Sequence, residues 1–413
     1  MRVNDGSPAT KISYLSWINL AANSADQIAT VALPVLYVTT YDGDASATSI
    51  LTIGATLPML LFSLPMGALT DRSSLRSLVF WGELVRLVSI LGMIVVLSLP
   101  SPSVMVLAVL ATLGGTGTVA FQVAAPAMVA RATVGNDRRK LNSRIEFARS
   151  IAITAGPPLA GIIVGLAGGD IALGLAAACC VLALVATRHL PALSREPAAK
   201  STPAALLAEG IRFTMLNPWL RPILYISMAF NLGWYVVLGV IVAWADREIN
   251  MSSLMIGAMF GFYGLGMMLG AYLVNRFDDA FPTTTLVRVG PWCGFAFASL
   301  IAFSSRFEFA GLLIAAFFLV GFGPVIWTIV TLGIRQTVTP PALLGRVSAT
   351  IMMASAGARP AGAALGYVGY QLGGYGAVFA LGLLLFGTRA VLVGQSTLVR
   401  EEPAAHIALV PHA

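Results

Sequence analysis

The chain has 413 residues, of which 57% are hydrophobic and 10% are charged, with a net charge of +7 and a pI near 9.6. A soluble domain carries about 25% charged residues, so the composition excludes an ordinary soluble protein and predicts an all-α polytopic membrane protein. The basic residues lie in short loops between apolar runs, which is typical of membrane topology and not of nucleic-acid binding. The expected partner surface is the lipid bilayer, with no nucleic acid.

Sites for metals, cofactors or enzymatic chemistry are not indicated. The three cysteines and three histidines show no metal-ligand or disulfide spacing. No phosphate-binding Gly-x-x-x-x-Gly-Lys-[Ser/Thr] sequence is present, which argues against ATP hydrolysis by this chain. We therefore expect no cofactor and no enzymatic activity.

Apolar runs of ~20 residues predict twelve membrane-spanning helices. They cover residues 14–39, 46–69, 77–99, 102–130, 142–167, 170–189, 219–244, 252–275, 283–304, 308–335, 345–370 and 373–396. The divisions between spans 3 and 4, at Pro100–Pro102, and between spans 11 and 12, at Gly373 and Gly374, are the shortest. The predicted organisation is a six-helix half 1–190, a cytoplasmic linker 191–217, a second six-helix half 218–397 and a cytoplasmic tail 398–413.

The first span carries a polar stripe. At about 100° per residue, Asn19, Asn23, Asp26 and Thr30 fall within roughly 60° of one another on a helix. An ionised carboxylate near mid-span costs at least a few kcal/mol unless it is paired or hydrated. This pattern favours a water-filled cavity beside Asp26. The alternative is a carboxyl group that is neutral or hydrogen-bonded only to fix helix packing.

The distribution of lysine and arginine predicts the orientation. The connections after even-numbered spans hold most of the basic residues, whereas the opposite side holds only Arg247 and Arg306. Because cytoplasmic loops are enriched in Lys and Arg, both termini are expected in the cytoplasm, with the chain in the cell (inner) membrane.

An internal repeat supports two related halves. Arg144 and Pro158 in span 5 are 14 residues apart, as are Arg346 and Pro360 in span 11, and the offset between the pairs is 202 residues. A repeat that keeps its sense after an even number of spans is related by an axis along the membrane normal.

The loop after span 2 contains Gly67, Asp71, Arg72 and Arg76. The glycine allows close helix approach, and the acid suits the N-terminus of the next helix. Here the chain resembles the major facilitator superfamily, whose signature in this loop is Gly-x-x-x-Asp-Arg-x-Gly. Ser74 occupies the position of the final glycine of this signature. The resemblance implies a gating role for the loop, and an ordinary charged turn is the alternative.

Span 5 contains Gly156, Pro157, Pro158 and Gly161, which are similar to the Gly-Pro-x-x-Gly-Gly motif of the superfamily's antiporters. Proline removes a helical hydrogen bond and glycine permits close packing, so this stretch and Pro360 in the repeat are candidate hinges. The resemblance implies export. A kink without directional meaning is the alternative.

Further stretches resemble the drug, macrolide and siderophore exporters of the superfamily. They are Asn23–Asp26, the pair Glu83 and Arg86 in span 3, and Gly357–Pro360. We group Glu83 and Arg86 with the gating loop.

The resemblance implies a central cavity lined by spans 1, 4, 7 and 10. Mixed aromatic and hydrogen-bonding walls suit an amphiphilic organic molecule, although a single aromatic residue is as often packing. The candidate substrate-cavity residues are Asn19, Asn23, Thr30, Gln122, Asn231, Trp234, Tyr235, Trp327, Thr328 and Thr331.

Arg359 lies about halfway along span 11, at the approximate depth of Asp26. Buried charges usually pair, so Asp26 is a candidate partner. Packing against backbone carbonyls near Pro360 and binding of a substrate anion are equally open.

These observations predict a secondary transporter that exports a small amphiphilic compound, such as a drug, an antibiotic or a siderophore-like metabolite, in exchange for protons. Asp26 is the predicted proton-coupling residue. We expect a monomeric antiporter of the kind that confers multidrug resistance. The alternatives are an uptake permease for a small metabolite and a non-transporting membrane sensor of the same fold.

Overall fold

The computed structural model describes residues 12–133, 135–191, 203–277, 281–307, 309–340 and 343–400. Within these ranges the chain is helical, and no residue forms a β-strand. The helices are α1 Tyr14–Tyr41, α2 Ala45–Arg72, α3 Leu75–Leu97, α4 Val104–Ala132, α5 Gly135–Ala167, α6 Gly169–Ala186, α7 Pro203–Leu216, α8 Leu220–Arg247, α9 Ser253–Phe277, α10 Thr283–Phe307, α11 Ala310–Val338 and α12 Leu344–Gln395.

Ten of the described helices are long and apolar enough to cross a membrane. Helix α1 is not among them, because its polar stripe lowers its hydropathy, but its 28 residues exceed the ~20 that a span requires. Helix α12 has 52 residues and loses helical geometry at Gly373 and Gly374, so it comprises two helices. With α1 and this division, the described residues contain the twelve expected segments.

Short loops with distinctive backbone geometry separate the first helices. Helix α1 ends where Asp42 adopts a left-handed conformation, with φ of 53°. Asp44 then caps α2, because its Oδ1 accepts a hydrogen bond of 2.9 Å from the backbone N–H of Ala47. Such caps satisfy backbone donors that a helix end leaves unpaired.

The chain divides into two compact units, the first of which contains α1 to α6 together with Ser252–Gly257. In this unit α1 packs on α5 and α6, α4 packs on α2 and α3, and α3 also packs on α6. A hydrophobic core of this unit includes Leu15, Phe121 and Met128, all of which are buried.

The second unit contains α7 to α12 apart from Ser252–Gly257. The first part of α12 packs on α8, since a Cβ atom at Gly362 would lie 2.4 Å from the carbonyl oxygen of Leu232. Helix α10 packs on α11 and α12. Each unit therefore packs its fifth span against its first and its third span against its fourth and sixth, as expected of a repeat.

Helix α7, within the predicted linker, packs on the first turn of α12. A Cβ atom at Gly210 would lie 2.7 Å from the carbonyl oxygen of Arg346. Arg346 Nη1 also donates to Glu209 Oε2 at 2.5 Å. Close backbone approach and an ion pair thus attach the linker helix to the second unit.

Helices α3 and α4 approach most closely at a pair of glycines. A Cβ atom at Gly117 would lie 2.2 Å from the carbonyl oxygen of Gly82 and 3.4 Å from the Cβ of Arg86. Membrane helices associate through such small residues because backbones then come into van der Waals contact. This contact sets the position of Arg86 relative to α4.

We predict that Gly117→Ala lowers the apparent melting temperature of the detergent-solubilised protein, because overpacking costs ~1–3 kcal/mol. The matched control is Gly174→Ala in α6, where an added Cβ meets nothing within 4 Å. The control is expected to be neutral or slightly stabilising, since alanine favours helix by ~1 kcal/mol. Equal melting temperatures for the two variants would contradict the proposed importance of this contact.

Candidate functional site

Asp26 on α1 forms an ion pair with Arg86 on α3. Arg86 Nε lies 3.0 Å from Asp26 Oδ1, and the side chains are 2% and 25% exposed, respectively. The carboxylate therefore contacts a fully enclosed cation on one side while part of it is accessible. The polar stripe of the first span thus includes one charged residue whose partner comes from another helix.

Glu83, one turn before Arg86 on α3, is a second partner of the same guanidinium. Arg86 Nη1 forms an ion pair with Glu83 Oε2, and the Glu83 side chain is fully buried. Within the described part of the chain, the other carboxyl oxygen, Oε1, has no hydrogen-bond partner. One cation therefore serves two carboxyl groups with very different accessibility.

Thr118 on α4 completes the cluster. Its hydroxyl donates to Asp26 Oδ2 at 2.8 Å and accepts from Arg86 Nη2 at 3.1 Å. Helices α1, α3 and α4 are thereby linked by direct polar contacts between side chains.

The cluster can exchange a proton without leaving an isolated charge. With both carboxyl groups ionised it carries one net negative charge, and with one proton bound it is neutral. Because an unpaired buried charge is far more costly than a paired one, the second carboxyl group keeps Arg86 compensated in either state. Asp26 is the accessible member of the pair.

The other predicted residues of the α1 stripe differ in exposure. Asn19 is buried, and its Nδ2 donates to the carbonyl oxygen of Ile145 on α5 at 2.7 Å. Asn23 is half-buried and donates to Asn19 Oδ1 at 2.7 Å. Thr30 is exposed and bonds to the carbonyl oxygen of Asp26. Asn19 ties helices together, whereas Thr30 presents an open surface.

In the second unit, Arg359 bonds to a predicted cavity residue. Its Nε donates to Asn231 Oδ1 at 3.1 Å, and its guanidinium lies 5.8 Å from the ring centroid of Tyr235. Asp26 forms its ion pair with Arg86, and not with Arg359 as the sequence had suggested. Arg359 has a local network of its own.

The predicted tryptophans belong to the packed interior of the second unit. Trp234 is 8% exposed and stacks on Tyr263, with 5.5 Å between ring centroids. Trp327 is 4% exposed, and its Nε1 donates to Ser227 Oγ at 3.4 Å. In this conformation both rings contact neighbouring side chains and are closed to a ligand.

The remaining cavity candidates divide in the same way. Thr331 is buried and bonds to the carbonyl oxygen of Trp327, whereas Thr328 and Gln122 are exposed. Their assignment to a substrate cavity stays a prediction.

The predicted gating residues lie in different places. The side chains of Gly67, Asp71 and Arg72, at the end of α2, lie outside the described part of the structure, and Arg76 is half-buried in α3. Glu83 and Arg86 do not belong to the loop, because they are buried within α3 beside Asp26. Their grouping with the gating loop is corrected accordingly.

The hinge motif lies at close helix contacts. A Cβ atom at Gly156 would lie 2.5 Å from the Cβ of Gln27 on α1, and one at Gly161 would lie 1.9 Å from the Cα of Gly257, which clusters with the first unit. Pro157 and Pro360 are buried, and the side chain of Pro158 lies outside the described part. Substitution of either glycine would displace a neighbouring helix.

Sequence reasoning missed two residues. Thr118 lies 92 residues from Asp26, and only the register between α1 and α4 reveals the contact. Arg389 is fully buried in α12 and donates to the carbonyl oxygen of Gly290 at 3.1 Å. The available signal for Arg389 was a lone arginine inside the last apolar run.

A family model, the Major Facilitator Superfamily, matches residues 15–363. The chain belongs to the major facilitator superfamily. The predicted resemblance is therefore confirmed, and the protein is a multi-pass membrane transporter for a small molecule and not an enzyme.

Known relatives and a solved structure agree with this membership. The multidrug efflux pump Tap of Mycolicibacterium fortuitum is 27% identical over 401 residues, covering 91% of this chain and 93% of Tap. The enterobactin exporter EntS of Escherichia coli O1:K1 is 24% identical over 340 residues, and the alignment covers 79% of this chain and 78% of EntS. The crystal structure of the nucleoside transporter NupG superimposes with a TM-score of 0.67 at 11% identity, covering 94% of this chain and 98% of NupG. This likeness confirms the fold class.

We predict that Thr118→Val lowers the melting temperature more than Thr116→Val does. Thr118 bridges α1 and α3, whereas Thr116 is half-buried and donates to the carbonyl oxygen of Leu113 in its own helix. Interhelical hydrogen bonds in membranes contribute ~0.6–1.7 kcal/mol. Thermal unfolding in detergent measures the difference, and equal stability would show that the bridge contributes little.

Proposed function

We propose that this transporter exports a small amphiphilic organic compound in exchange for protons, with Asp26 as the proton-binding group. The observation that best supports this proposal is the arrangement around Arg86. This one cation is shared by the carboxyl group of Asp26, whose side chain is 25% exposed, and that of Glu83, which is fully buried. A proton carrier needs a group that water can reach and whose two charge states are both tolerated in the membrane.

Asp26 is the group that water can reach, and Glu83 allows both charge states of Asp26 to be tolerated. An isolated carboxylate at mid-membrane costs ~2.5–3.5 kcal/mol or more, and Arg86 offsets that cost while Asp26 is ionised. When Asp26 binds a proton, Arg86 retains the carboxylate of Glu83. In this proposal Glu83 is the permanent counter-ion, and Asp26 is the group that cycles.

Proton binding also has a mechanical consequence. Asp26 is on α1, while Arg86 and Thr118 are on α3 and α4. Neutralising Asp26 removes the electrostatic part of the link between α1 and the α3–α4 pair. We infer that this weakening frees α1 to shift against its neighbours during alternating access, with the close contacts of Gly156 and Gly161 as pivots.

The direction and the class of compound are supported by the relatives. Tap is a multidrug efflux pump and EntS an enterobactin exporter, and both align with most of this chain. An antiporter-like motif at Gly156–Gly161 is consistent with export. The substrate class that follows is an amphiphilic drug, antibiotic or siderophore-like molecule.

We further propose a monomer in the cell (inner) membrane with both termini in the cytoplasm, as the excess of arginine in one set of loops indicates. The moving bodies would be the halves 1–190 and 218–397, joined by the linker 191–217. Candidate residues that line the transport path are the accessible ones, namely Asn23, Thr30, Gln122, Asn231, Tyr235 and Thr328.

We predict that Asp26→Asn abolishes transport driven by a pH gradient. Asparagine keeps the shape of the side chain but cannot take up and release the proton. Inside-out vesicles, screened with a panel of amphiphilic dyes and antibiotics, would measure accumulation with and without an imposed gradient. The matched control is Asp170→Asn, since Asp170 is an exposed acid in the first turn of α6.

Three results would contradict this proposal. Normal gradient-driven accumulation by Asp26→Asn would remove the proton role. Accumulation by right-side-out vesicles only would indicate uptake. Ligand binding without any flux would indicate a sensor.

We predict that Glu83→Gln shifts the pH profile of transport to lower pH. Asp26 then becomes the sole counter-ion of Arg86, so protonating Asp26 leaves a buried cation uncompensated and is disfavoured. A charge within ~4–6 Å moves a titration by about 1–3 pH units, and a shift at the lower end is expected because Thr118 still contacts both groups. Transport rates measured across external pH test this, and an unshifted profile would exclude Glu83 as the counter-ion.

A further inference from the structure

Beyond Arg346 in the first turn of α12, which pairs with Glu209, the second unit holds two arginines farther along that helix, Arg359 and Arg389. In the part of the chain that the structure describes, neither forms a salt bridge with a carboxylate, whereas Arg86 in the first unit has two such partners. Arginine stays protonated at physiological pH. The membrane interior of the second unit therefore carries positive charge that its own described residues do not neutralise.

Arg389 is enclosed by neighbouring side chains. Its side chain is 0% exposed, and its guanidinium lies 4.8 Å from the ring centroid of Phe230 and 5.5 Å from that of Trp327. Aromatic faces attract a guanidinium electrostatically. Arg389 thus contributes a fixed positive field and is itself a packing residue.

Arg359 differs because its terminal nitrogens are available. The side chain is half-buried, and among the residues that the structure describes only its Nε makes a hydrogen bond, to Asn231 Oδ1. In that part of the chain Nη1 and Nη2 have no protein acceptor and are not fully buried. The guanidinium presents a planar fork with free N–H donors, which matches the oxygens of a carboxylate or sulfonate.

The orientation of this fork is fixed by its neighbours. Asn231 Nδ2 donates to the carbonyl oxygen of Ser227 at 3.0 Å, which directs Oδ1 toward Arg359. The ring of Tyr235 lies 5.8 Å from the guanidinium and offers an apolar face beside it. A pre-oriented cation next to an aromatic surface suits a molecule that joins an anionic group to an apolar body.

We propose that Arg359 binds an oxyanionic group of the transported compound, which makes the substrate class amphiphilic organic anions. This inference rests on the proposed transport function, since it names the substrate of that same pathway. Asn231 is the positioning residue, and Tyr235 contacts the apolar part next to the anion.

Equilibrium binding of a matched probe pair tests the inference. The probes are 8-anilinonaphthalene-1-sulfonate and N-phenyl-1-naphthylamine, which differ only in the sulfonate group and gain fluorescence in apolar surroundings. The full chain is placed in phosphatidylcholine nanodiscs, and the signal of empty nanodiscs is subtracted. Wild-type protein is expected to bind the sulfonate probe more tightly than the neutral one.

Arg359→Gln should weaken binding of the sulfonate probe by about tenfold or more, because charged hydrogen bonds contribute strongly to binding, and should leave the neutral probe within twofold. Arg359→Lys should retain part of the preference, since lysine keeps the charge but lacks the fork. The matched control is Arg288→Gln, which removes an equal charge from an exposed arginine and should change neither affinity.

Several outcomes would overturn the inference. Equal weakening of both probes would assign Arg359 a structural role, and an unchanged preference would exclude it from anion binding. Added phosphatidylglycerol that displaces the sulfonate probe only when Arg359 is present would identify a lipid headgroup as the anion, and not the substrate.

The test is independent of proton coupling. No gradient is applied, so the preference for the sulfonate probe should persist in Asp26→Asn. If that preference persists while Asp26→Asn transports normally, the proton role of Asp26 fails and the anion site stands. If coupling is confirmed and the preference is absent, only the anion site fails.

Discussion

Arg86 is the constraint on which the first unit depends. Its side chain is 2% exposed, and a cation so far from water is tolerated in a membrane only with close counter-ions and hydrogen-bond acceptors. Asp26, Glu83 and Thr118 supply them from three helices. These partners lie on α1, α3 and α4. Moving any of the three helices away would leave the buried cation without a partner, so the ion pairs hold the helices in their relative positions.

The same requirement explains where small residues are needed. The near contact of Gly82 and Gly117 brings α3 and α4 together directly beside Arg86. Lipid chains are as apolar as leucine, so hydrophobicity alone gives membrane helices little reason to associate, and packing and polar contacts decide. The glycine pair supplies the packing and the ion pair the polar contact. Neither would place the guanidinium between two carboxyl groups without the other.

The helices and their divisions were predictable because apolar length and helix-breaking residues are local properties. The interruption at Gly373 and Gly374 and the polar stripe of α1 lie where the sequence indicated. The partner of Asp26 was not predictable, since Arg86 and Arg359 both lie within apolar runs and depth alone does not separate them. Thr118 depends on the register between α1 and α4, which no local pattern encodes. The sequence therefore predicts the helices but not the contacts between them.

The two units share a packing pattern but differ in their buried charges. The first unit places two carboxyl groups around one arginine, whereas Arg359 and Arg389 in the second lack a carboxylate partner among the described residues. A duplicated bundle needs the same helix contacts in both copies, so packing is conserved between them, while charges near the middle of the spans are free to diverge. In the proposed exchange, the pair of carboxyl groups around Arg86 suits proton binding, and an arginine without a carboxylate partner suits an anion. Under that proposal, the division of buried charge assigns proton binding to helices of the first unit and anion binding to helices of the second.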